Sequence, residues 1–289
     1  MKLLIIRFSS IGDIVLTTPV IRCIKQQIPN VEVHFLLKKI YSPVLQHNPY
    51  IDKIIYNDDF HLTISELKKE HYDVVIDLQK NFRSLRIKQS LGIKSHTFDK
   101  LNIKKWLLVN FKINVLPKIH IVDRYLKAVR SFGVVNDGSG LDYFISQEDE
   151  YILKELPGTH QRGFLAWVIG ARHNTKMLPL NKMISIGRKI NSPVVLLGGP
   201  EDFQRGELLS NEDKDKFFNA CGKFSLNQSA ALLKNSKKVI THDTGLMHIA
   251  AAFNKDIISV WGNTVPEFGM FPYYGKEVRS LKFDERKFF

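Results

Sequence analysis

Asp13 lies in a turn whose residue types and spacing suit acid–base chemistry. The segment RFSSIGDIVLTTP, residues 7–19, leaves a short apolar run, passes Gly12 and then has the composition of a helix. Glycine permits a tight turn, and the hydroxyl of Ser10 can bind or cap beside it. A carboxylate at this point can take a proton from an attacking hydroxyl group, or it can simply cap the helix. The spacing alone leaves both interpretations open.

A second segment, ITHDTGLMHIAAAF, residues 240–253, has the pattern of a strand followed by a helix. The backbone amides of Thr244, Gly245 and Leu246 would point out of the helix N-terminus, where anions bind. Gly245 has no side chain to keep an anion away. His248 lies on the same helical face, four residues after Thr244. We interpret this segment as a pyrophosphate site.

Metal binding is a weaker interpretation of the same segment. His242, Asp243 and His248 are all ligand types, but a spacing of six between the two histidines fits neither one helical face nor an H-x-x-x-H pair. We therefore expect no bound metal. The two cysteines, Cys23 and Cys221, have no metal-ligand partner at the usual spacing, which favours reduced structural thiols.

Two further loops contain candidate ligands for a nucleotide. Arg172 and Lys176 follow the apolar run FLAWVIG and could offset the charge of a diphosphate, although ordinary surface charges would have the same pattern. Glu201 and Asp202 follow a pair of glycines after the next apolar run, PVVLL, and could hold ribose hydroxyls. Helix capping explains these two acids almost equally well.

Short apolar runs alternate with helical patterns and must position these residues. They are too continuous for half-exposed strands, so they indicate parallel sheets with helices on both faces. Helices are predicted at about residues 14–27, from Asn181 and from Thr244, as well as between the other runs. The predicted strands are LLIIRF, VEVHFLL, IDKIIY and DVVIDL in the first half, and FLAWVIG, PVVLLGG, KKVITHD and DIISVWG in the second.

The pattern therefore predicts two doubly wound α/β domains, residues 1–150 and 151–289. Acidic and Pro/Gly residues interrupt the periodicity near residues 145–160, which favours a boundary there. Ligands bind at the carboxyl ends of strands in such sheets, so we expect the sites of both domains to line a shared cleft.

The formal net charge is +13, and its excess is concentrated. Residues 80–130 contain 13 Lys or Arg against only Asp99 and Asp123. Such a field favours phosphate-rich partners: nucleic acid, anionic lipid headgroups or an acidic glycolipid. A merely solvated basic face is the alternative. No apolar run approaches the roughly 20 residues of a membrane span, and MKLLIIRF lacks the features of a signal peptide, so we expect a cytoplasmic protein.

Residues 101–112, LNIKKWLLVNFK, have the composition of a membrane-docking helix. Trp106, Leu107 and Phe111 alternate with Lys104, Lys105 and Lys112, so a helix here could place an apolar stripe between ammonium groups. A stripe of this kind packs into the protein core at least as often.

The motifs together resemble glycosyltransferase family 9, the ADP-heptose:lipopolysaccharide heptosyltransferases. The resemblance rests on SSIGD, on DLQKNFRS at residues 77–84, on HIVDRY at residues 120–125, and above all on DTGLMHIAA followed by WGNT. It covers nearly the whole chain in the right order. It implies a GT-B fold, in which two doubly wound Rossmann-like domains face a central cleft, and an inverting transfer without a bound metal.

The resemblance also implies roles for individual residues. Asp13 would be the base, with Asp77 in reserve; Lys176 would bind phosphate and Asp243 a sugar hydroxyl. The donor would lie in the C-terminal domain and the acceptor in the N-terminal one. The remaining donor contacts would be Arg172, Glu201, Asp202, Thr244, Gly245, Leu246 and His248. The acceptor contacts would be Ser10, Gly12, Lys80, Arg83 and Arg124.

The implied reaction moves heptose from ADP-heptose onto the inner core of lipopolysaccharide or a similar acidic glycolipid, with no cofactor. We expect a monomer that works at the inner membrane surface and binds no nucleic acid. A nucleotide-sugar epimerase of the same fold and a basic nucleic-acid-binding protein are the alternatives. The chain departs from the family in having Lys176, Met177, Leu178 and Pro179 where Lys-x-Trp-Pro is usual, so that Leu178 replaces the tryptophan. Family members usually run on beyond the point where this chain ends, at SLKFDERKFF, so we expect a crossover helix that is short or absent.

Overall fold

The computed structural model describes residues 1–171, 173–262 and 264–275, and these form two compact units. The first unit contains residues 1–144 together with Glu267–Gly275, and the second contains residues 145–266. The change of unit falls at residues 144 and 145, six residues before the boundary expected from the sequence. The terminal segment SLKFDERKFF, on which the expectation about a crossover helix depended, lies outside the described residues.

The first unit is an α/β domain built around one parallel sheet. Its helices and strands are β1 (Lys2–Ile6), α1 (Ile11–Val15), α2 (Thr18–Gln27), β2 (Glu32–Leu37), β3 (Lys53–Tyr56), α3 (Phe60–Lys69), β4 (Val74–Asp77), α4 (Phe82–Leu91), β5 (Ser95–Thr97), α5 (Asn102–Phe111) and α6 (Ile121–Lys127), with 3₁₀ turns at Lys39–Val44 and Arg130–Phe132. The strand order is β3-β2-β1-β4-β5, and every pair is parallel. Strands β1 and β4, which are neighbours but not consecutive, mark the point where the winding reverses.

The segment Glu267–Gly275 packs on the first unit through backbone and ring contacts. Ile121 donates its N–H to the carbonyl of Gly269 at 2.8 Å, and the His120 ring stacks on Tyr273 with centroids 4.6 Å apart. The side chain of Asn136 also donates to the Tyr273 hydroxyl, at 2.7 Å. These contacts fix the start of α6.

The second unit repeats the same plan. It contains α7 (Gln147–Glu150), α8 (Gly158–Gln161), β6 (Leu165–Val168), α9 (Leu180–Gly187), β7 (Val194–Leu197), α10 (Phe203–Ser210), β8 (Phe217–Asn219), α11 (Leu226–Asn235), β9 (Lys238–His242), α12 (Gly245–Ala252) and β10 (Ile257–Val260), with 3₁₀ turns at Tyr151–Glu155, Asn174–Lys176 and Pro200–Asp202. Its sheet is parallel in the order β10-β9-β6-β7-β8. Here β6 and β9 flank the reversal. The two sheets confirm the prediction of two doubly wound α/β domains.

Each sheet is covered by buried apolar side chains, which form the hydrophobic core of its unit. This agrees with the continuous apolar runs of the strands, which are typical of sheets buried on both faces. Leu4, Ile6 and Leu36 contribute to the first core, and Trp167 and Leu196 to the second. Among the residues that the structure describes, no helix combines the length and the apolar composition needed to cross a bilayer.

Two predicted helices were wrong in detail. The helix expected over residues 14–27 is split at Thr17, the N-cap residue of α2. Pro19, at the second position of α2, has no N–H to donate to the preceding turn, so one continuous helix is disfavoured. The segment between β2 and β3 forms only the 3₁₀ turn Lys39–Val44, which contains Pro43.

A network of charged side chains lies at the amino ends of β1, β2 and β3. Lys2 and Lys53 contact the two carboxylate oxygens of Glu70 at 2.8 and 2.7 Å. The buried ring of His34 lies between Glu32 and the Tyr72 hydroxyl, each 2.8 Å from a ring nitrogen. Hydrogen bonds from the two lysines, Lys2 first, lower the pKa of Glu70 to about 2.

We expect Glu70 to make the free energy of unfolding depend on pH in the acid range. Because folding lowers the pKa of Glu70 from its ordinary value of about 4.5, its contribution to stability is complete above about pH 4.5 and is lost as the pH falls toward 2. Replacement of Glu70 by Gln should reduce the free energy of unfolding at neutral pH by roughly 1–2 kcal/mol and flatten this pH dependence. Urea unfolding at several pH values measures both effects. Glu212→Gln, which removes an exposed pair with Arg188, is the control and should change stability by less than about 0.5 kcal/mol.

Candidate active site

Asp13 lies at the carboxyl end of β1, in the first turn of α1. The side chain and the backbone N–H of Ser10 donate to its Oδ2 at 2.9 and 3.2 Å, which are capping contacts. Its Oδ1 lies 2.7 Å from the guanidinium of Arg7. A carboxylate has about four lone-pair sites and these contacts use three, so one remains for a ligand hydroxyl. Asp13 is a helix-capping residue, and this geometry also leaves it able to accept a proton.

Arg7 is the residue that holds Asp13 in place. It is buried, and besides Asp13 it donates to the carbonyl of Leu78 at 2.6 Å, to the hydroxyl of Tyr125 at 3.0 Å and to the carbonyl of Ser9 at 2.9 Å. Four fixed acceptors therefore orient the guanidinium. Arginine is suited to this role because its donors form a rigid fork.

The charge of Asp13 is set by opposing effects. Burial alone would raise the pKa of Asp13, but the positive charge of Arg7 and the hydrogen bonds from Ser10 outweigh it and hold the pKa below its usual value. Asp13 is consequently ionised at neutral pH. Burial raises the pKa of the neighbouring Tyr125, which stays a neutral phenol.

Asp77, the reserve candidate for a base, has a structural role instead. It is fully buried at the end of β4, and its oxygens accept from the backbone of Gln79 and Lys80, at 3.0 and 2.8 Å, and from the hydroxyl of Ser84 at 2.9 Å. Lys88 lies 3.0 Å away as its counter-ion. These contacts fix the turn into α4 and leave Asp77 closed to a substrate.

The other acceptor candidates on this unit, Lys80, Arg83 and Arg124, are basic side chains. Lys80 and Arg83 are exposed at the start of α4, and Arg83 lies over the ring of Phe8, 5.9 Å from its centroid. Gly12 is buried within α1, so only its backbone can take part in binding.

Arg124 combines burial with incomplete hydrogen bonding. Its two terminal nitrogens reach only the carbonyls of Asp99 and Phe268, at 3.4 and 3.3 Å, and its Nε has no partner within the described part of the chain. Together with Lys127 it lines a cavity of about 250 Å³. A buried guanidinium without a carboxylate suits the binding of an anion.

In the second unit, the start of α12 has the features of an anion site. Thr244 occupies the N-cap position of the helix but makes no capping hydrogen bond, and its hydroxyl is buried without a hydrogen-bond partner among residues 1–171, 173–262 and 264–275. Gly245 and Leu246 are the first two helical residues, so their N–H groups have no partner within the helix. Both are partly exposed, whereas His248 is buried one turn further on.

Lys176 and Asp243 face each other beside α12. The ammonium of Lys176 donates to Asp243 at 2.7 Å, and it keeps two further N–H donors for a ligand. His242 holds the loop that carries Lys176, because its Nε2 accepts the N–H of Leu178 at 3.0 Å. Burial, with the charge of Arg205 adding to it, lowers the pKa of His242 to about 4, so the ring is neutral at pH 7 and can accept.

The two acids after β7 differ in their surroundings. Asp202 is buried, accepts the N–H of Gly199 at 2.9 Å, and would overlap a Cβ placed at Gly170 or Gly198. It therefore holds the strand ends together. Glu201 is exposed next to it and is the acid that can reach a ligand.

The other residues considered for the site are Arg172, the two cysteines and a possible group of metal ligands. Arg172 lies outside the described residues. Cys23 and Cys221 are buried free thiols, as the sequence indicated. Within the described ranges, the one group of three acidic, His or Cys side chains close enough to share an ion is Glu32, His34 and Glu70 of the charged network, and its carboxylates are already paired with lysines.

Arg7, Tyr125 and Lys105 also belong to the candidate site, although no sequence motif predicted them as site residues. Lys105 turns inward from α5, with its ammonium 5.6 Å from the centroid of the Phe268 ring. Burial and the charge of Arg124 lower its pKa, while Asp13 opposes this effect. Arg7 had a recognisable signal, since a charge directly after the buried run LLII must find a partner.

Comparison with known proteins gives consistent matches. A family model described as glycosyltransferase family 9 (heptosyltransferase) matches residues 61–287. Lipopolysaccharide heptosyltransferase 2 of Escherichia coli K12 is 24% identical over 296 residues, covering 93% of this chain and 84% of that protein. Lipopolysaccharide heptosyltransferase 1 of Campylobacter coli is 24% identical over 290 residues, covering 91% and 84%. The structure of the E. coli ADP-heptose lipopolysaccharide heptosyltransferase II has a TM-score of 0.76 at 22% identity, covering 94% of this chain and 88% of that one.

These matches confirm the predicted GT-B fold and the predicted class of enzyme, a glycosyltransferase of the heptosyltransferase type. The family model covers most of the chain and includes the whole of the second unit's β6 to β10 region. The chain therefore belongs to glycosyltransferase family 9, the heptosyltransferases.

Proposed function

We propose that this protein transfers heptose from ADP-heptose to the inner core of lipopolysaccharide or a closely similar acidic glycolipid, at the cytoplasmic face of the inner membrane. The names of the relatives support both substrates, since the matched proteins act on lipopolysaccharide and one is named for ADP-heptose. The observation that carries the proposal is the Asp13 site: a carboxylate kept ionised by Arg7 and Ser10, with a lone pair left for an acceptor hydroxyl.

In this mechanism the acceptor hydroxyl attacks the anomeric carbon of the donor while Asp13 takes its proton. A sugar hydroxyl is a poor nucleophile at neutral pH, and a carboxylate in hydrogen-bond contact with it lowers the barrier. The bond to the anomeric carbon breaks on the opposite side, so the configuration inverts. ADP leaves with the electron pair.

The second unit stabilises the leaving group. The N–H groups of Gly245 and Leu246, the hydroxyl of Thr244 and the free donors of Lys176 would bind the diphosphate, whose negative charge grows as the bond breaks. Asp243, held by Lys176, would accept from a sugar hydroxyl. Glu201 would accept from the ribose, in preference to the buried Asp202.

Basic side chains would bind the acceptor. Arg124 in its cavity, together with the exposed Lys80 and Arg83, provides positive charge for the carboxylates or phosphates of an acidic inner core. Ser10 orients Asp13 beside them. We propose that the reaction needs no metal, because Lys176 and the α12 amides supply the positive field, and that the enzyme acts as a monomer.

The proposal can be tested with purified protein, a panel of nucleotide sugars and an inner-core acceptor. ADP and ADP-heptose should raise the melting temperature more than GDP or UDP sugars do, since a ligand at 100 times its dissociation constant adds about 2.7 kcal/mol of stability. Release of ADP should require the acceptor. Conversion of the donor without any acceptor would instead identify an epimerase.

Arg7 gives a prediction about pH. Replacement of Arg7 by Gln removes the positive charge that holds the pKa of Asp13 down, so the pKa should rise and the acid limb of kcat/KM should move to higher pH. Arg7→Lys keeps the charge and should leave that limb closer to the wild type. The pH profile of kcat/KM for the three proteins is the measurement, and an unmoved acid limb in Arg7→Gln would show that Asp13 is not the group that titrates.

A further inference from the structure

We propose that α5 docks the enzyme on an anionic phospholipid surface by inserting the apolar residues that it turns outward, Ile103, Trp106 and Val109. This inference rests on the proposed function, because a lipid-anchored acceptor must be met at a bilayer. The surface itself is defined by observations on α5 and the loop after it.

Four apolar side chains of α5 are exposed to solvent, whereas Leu107 and Leu108 are half-buried. Ile103, Trp106 and Val109 recur every three residues on one side of the helix, and each is more than half exposed. The same surface continues through Phe111 and Ile113, also more than half exposed, and the ring of Phe111 meets that of Trp106 edge to face at 5.2 Å. No residue of α5 is buried. The alternative that this stripe is core is therefore wrong.

Lys105, in contrast, turns toward the protein and the acceptor site. Its ammonium lies over Phe268 and interacts electrostatically with Arg124 and Asp13. An ordinary surface helix places its lysines outward and its apolar side chains inward. In α5 this arrangement is reversed for Lys105 and for Ile103, Trp106 and Val109. The outward position of these apolar side chains indicates that this side of the helix meets an apolar environment, and Lys105 links the helix to the site where a glycolipid headgroup would react.

The charge around this surface identifies the occupant. Residues 100–122 contain five lysines and no acidic residue, and Lys104, Lys112 and Lys118 are exposed. Apolar side chains flanked by ammonium groups match the interface of an anionic bilayer, where tails accept the apolar groups and phosphates accept the lysines. A second copy of this chain fits less well, since a two-fold contact would bring the same lysines together.

Binding to vesicles tests the proposal without donor or acceptor, so its result does not depend on the proposed activity. Wild-type protein should cosediment with vesicles that contain phosphatidylglycerol and far less with phosphatidylcholine vesicles. Trp106 should shift its fluorescence to the blue on binding. The shift should be missing in Trp106→Phe, because Trp167 is already buried and Trp261 belongs to the second unit, not to the proposed docking surface.

Two variants separate the apolar from the ionic contribution. Ile103→Ser/Trp106→Ser/Val109→Ser should lower vesicle affinity by about a hundredfold or more, and Lys104→Gln/Lys112→Gln by roughly fivefold per lysine at low salt. Matched controls are Val135→Ser/Tyr151→Ser/Leu208→Ser, which removes equally exposed apolar groups elsewhere, and Lys68→Gln/Lys69→Gln at the end of α3. Both controls should bind vesicles like the wild type. Activity on a delipidated, water-soluble acceptor should be unchanged in the triple α5 variant.

Three results would overturn the proposal. Equal binding to anionic and neutral vesicles would remove the lipid selectivity. Wild-type affinity in the triple α5 variant would show that its apolar side chains do not insert. A wild-type dimer in sedimentation, converted to monomer by that variant without vesicles, would show that a second copy covers the surface.

Discussion

Replacement of Asp13 by Asn is expected to lower the turnover number by roughly two to four powers of ten while donor affinity stays within about twofold of the wild type. Asparagine is nearly isosteric and its carbonyl oxygen can still accept from Arg7, but its amide cannot take a proton from the acceptor hydroxyl. Because the ion pair with a buried guanidinium becomes a neutral hydrogen bond, a stability loss of about 1–2 kcal/mol should accompany the change. Single-turnover kinetics, calorimetric donor affinity and a thermal melt measure the three quantities.

Asp59 provides a matched control for the capping role of Asp13. It caps α3 by accepting the N–H of Leu62 at 2.8 Å, far in sequence from the predicted site. Asp59→Asn should cost at most about 1 kcal/mol and leave turnover unchanged. If Asp13→Asn behaved in the same way, with a normal rate and a small stability loss, its carboxylate would be a cap and not a base.

Replacement of Gly245 by Val is expected to weaken ADP binding by a hundredfold or more, because the new side chain would stand where the diphosphate must approach the first N–H groups of α12. The cost in free energy, about 3 kcal/mol or more, corresponds to the loss of most of the charge-assisted contacts to the phosphates. Calorimetric titration with ADP gives the affinity, and circular dichroism shows whether α12 and the rest of the fold persist.

Gly158 allows the same substitution at a site without a predicted ligand. It is likewise the first residue of a helix in the second unit, and a Cβ there would meet no atom within 4 Å. Gly158→Val should leave ADP affinity unaltered. Unaltered affinity in Gly245→Val as well would place the diphosphate elsewhere.

Both predicted half-sites lie next to the reversal of winding in their respective sheets. Asp13 follows β1, next to the reversal of winding between β1 and β4, and Asp243 follows β9, next to the reversal between β6 and β9. At a reversal the neighbouring loops diverge to opposite faces, so side chains there are open to a ligand. The repeated plan explains why one sequence pattern, a buried strand followed by a small-residue turn and a helix, marked both.

Apolar runs made eight of the ten described strands predictable, but they could not show two of the four edge strands, β5 and β8. β5 consists of Ser95, His96 and Thr97, without an apolar residue, and it pairs with β4 on one side only. β8, Phe217–Asn219, is equally short and lies at the edge of the other sheet. Segments of three residues have too little periodicity to be recognised, and their pairing depends on a neighbour that is distant in sequence.

The residues of the candidate site that lie in a single strand-to-helix turn could be predicted from the sequence. Asp13, Thr244 and Gly245 were found because strand end, glycine and helix start are adjacent in the sequence. Residues that reach the site from elsewhere could not be found this way: Tyr125 arrives on α6 and Lys105 on α5, each about 100 residues after Asp13 in the sequence. Likewise, the sequence could not show whether Glu201 or Asp202 is available to bind a ligand. Only the fold shows that the carboxylate of Asp202 packs against Gly170 and Gly198, which leaves Glu201 as the available acid.

The anomeric configuration of the product tests the account most directly. Asp13 as a base in a single displacement requires that the new glycosidic bond have the configuration opposite to that of the donor. Protein incubated with ADP-heptose and an inner-core acceptor should therefore yield an acceptor that carries one added heptose, seen by mass spectrometry, with inverted configuration in the NMR coupling constants. The same incubation with Asp13→Asn should yield almost none. A product of retained configuration, or no acceptor modification by the wild-type protein, would contradict the account.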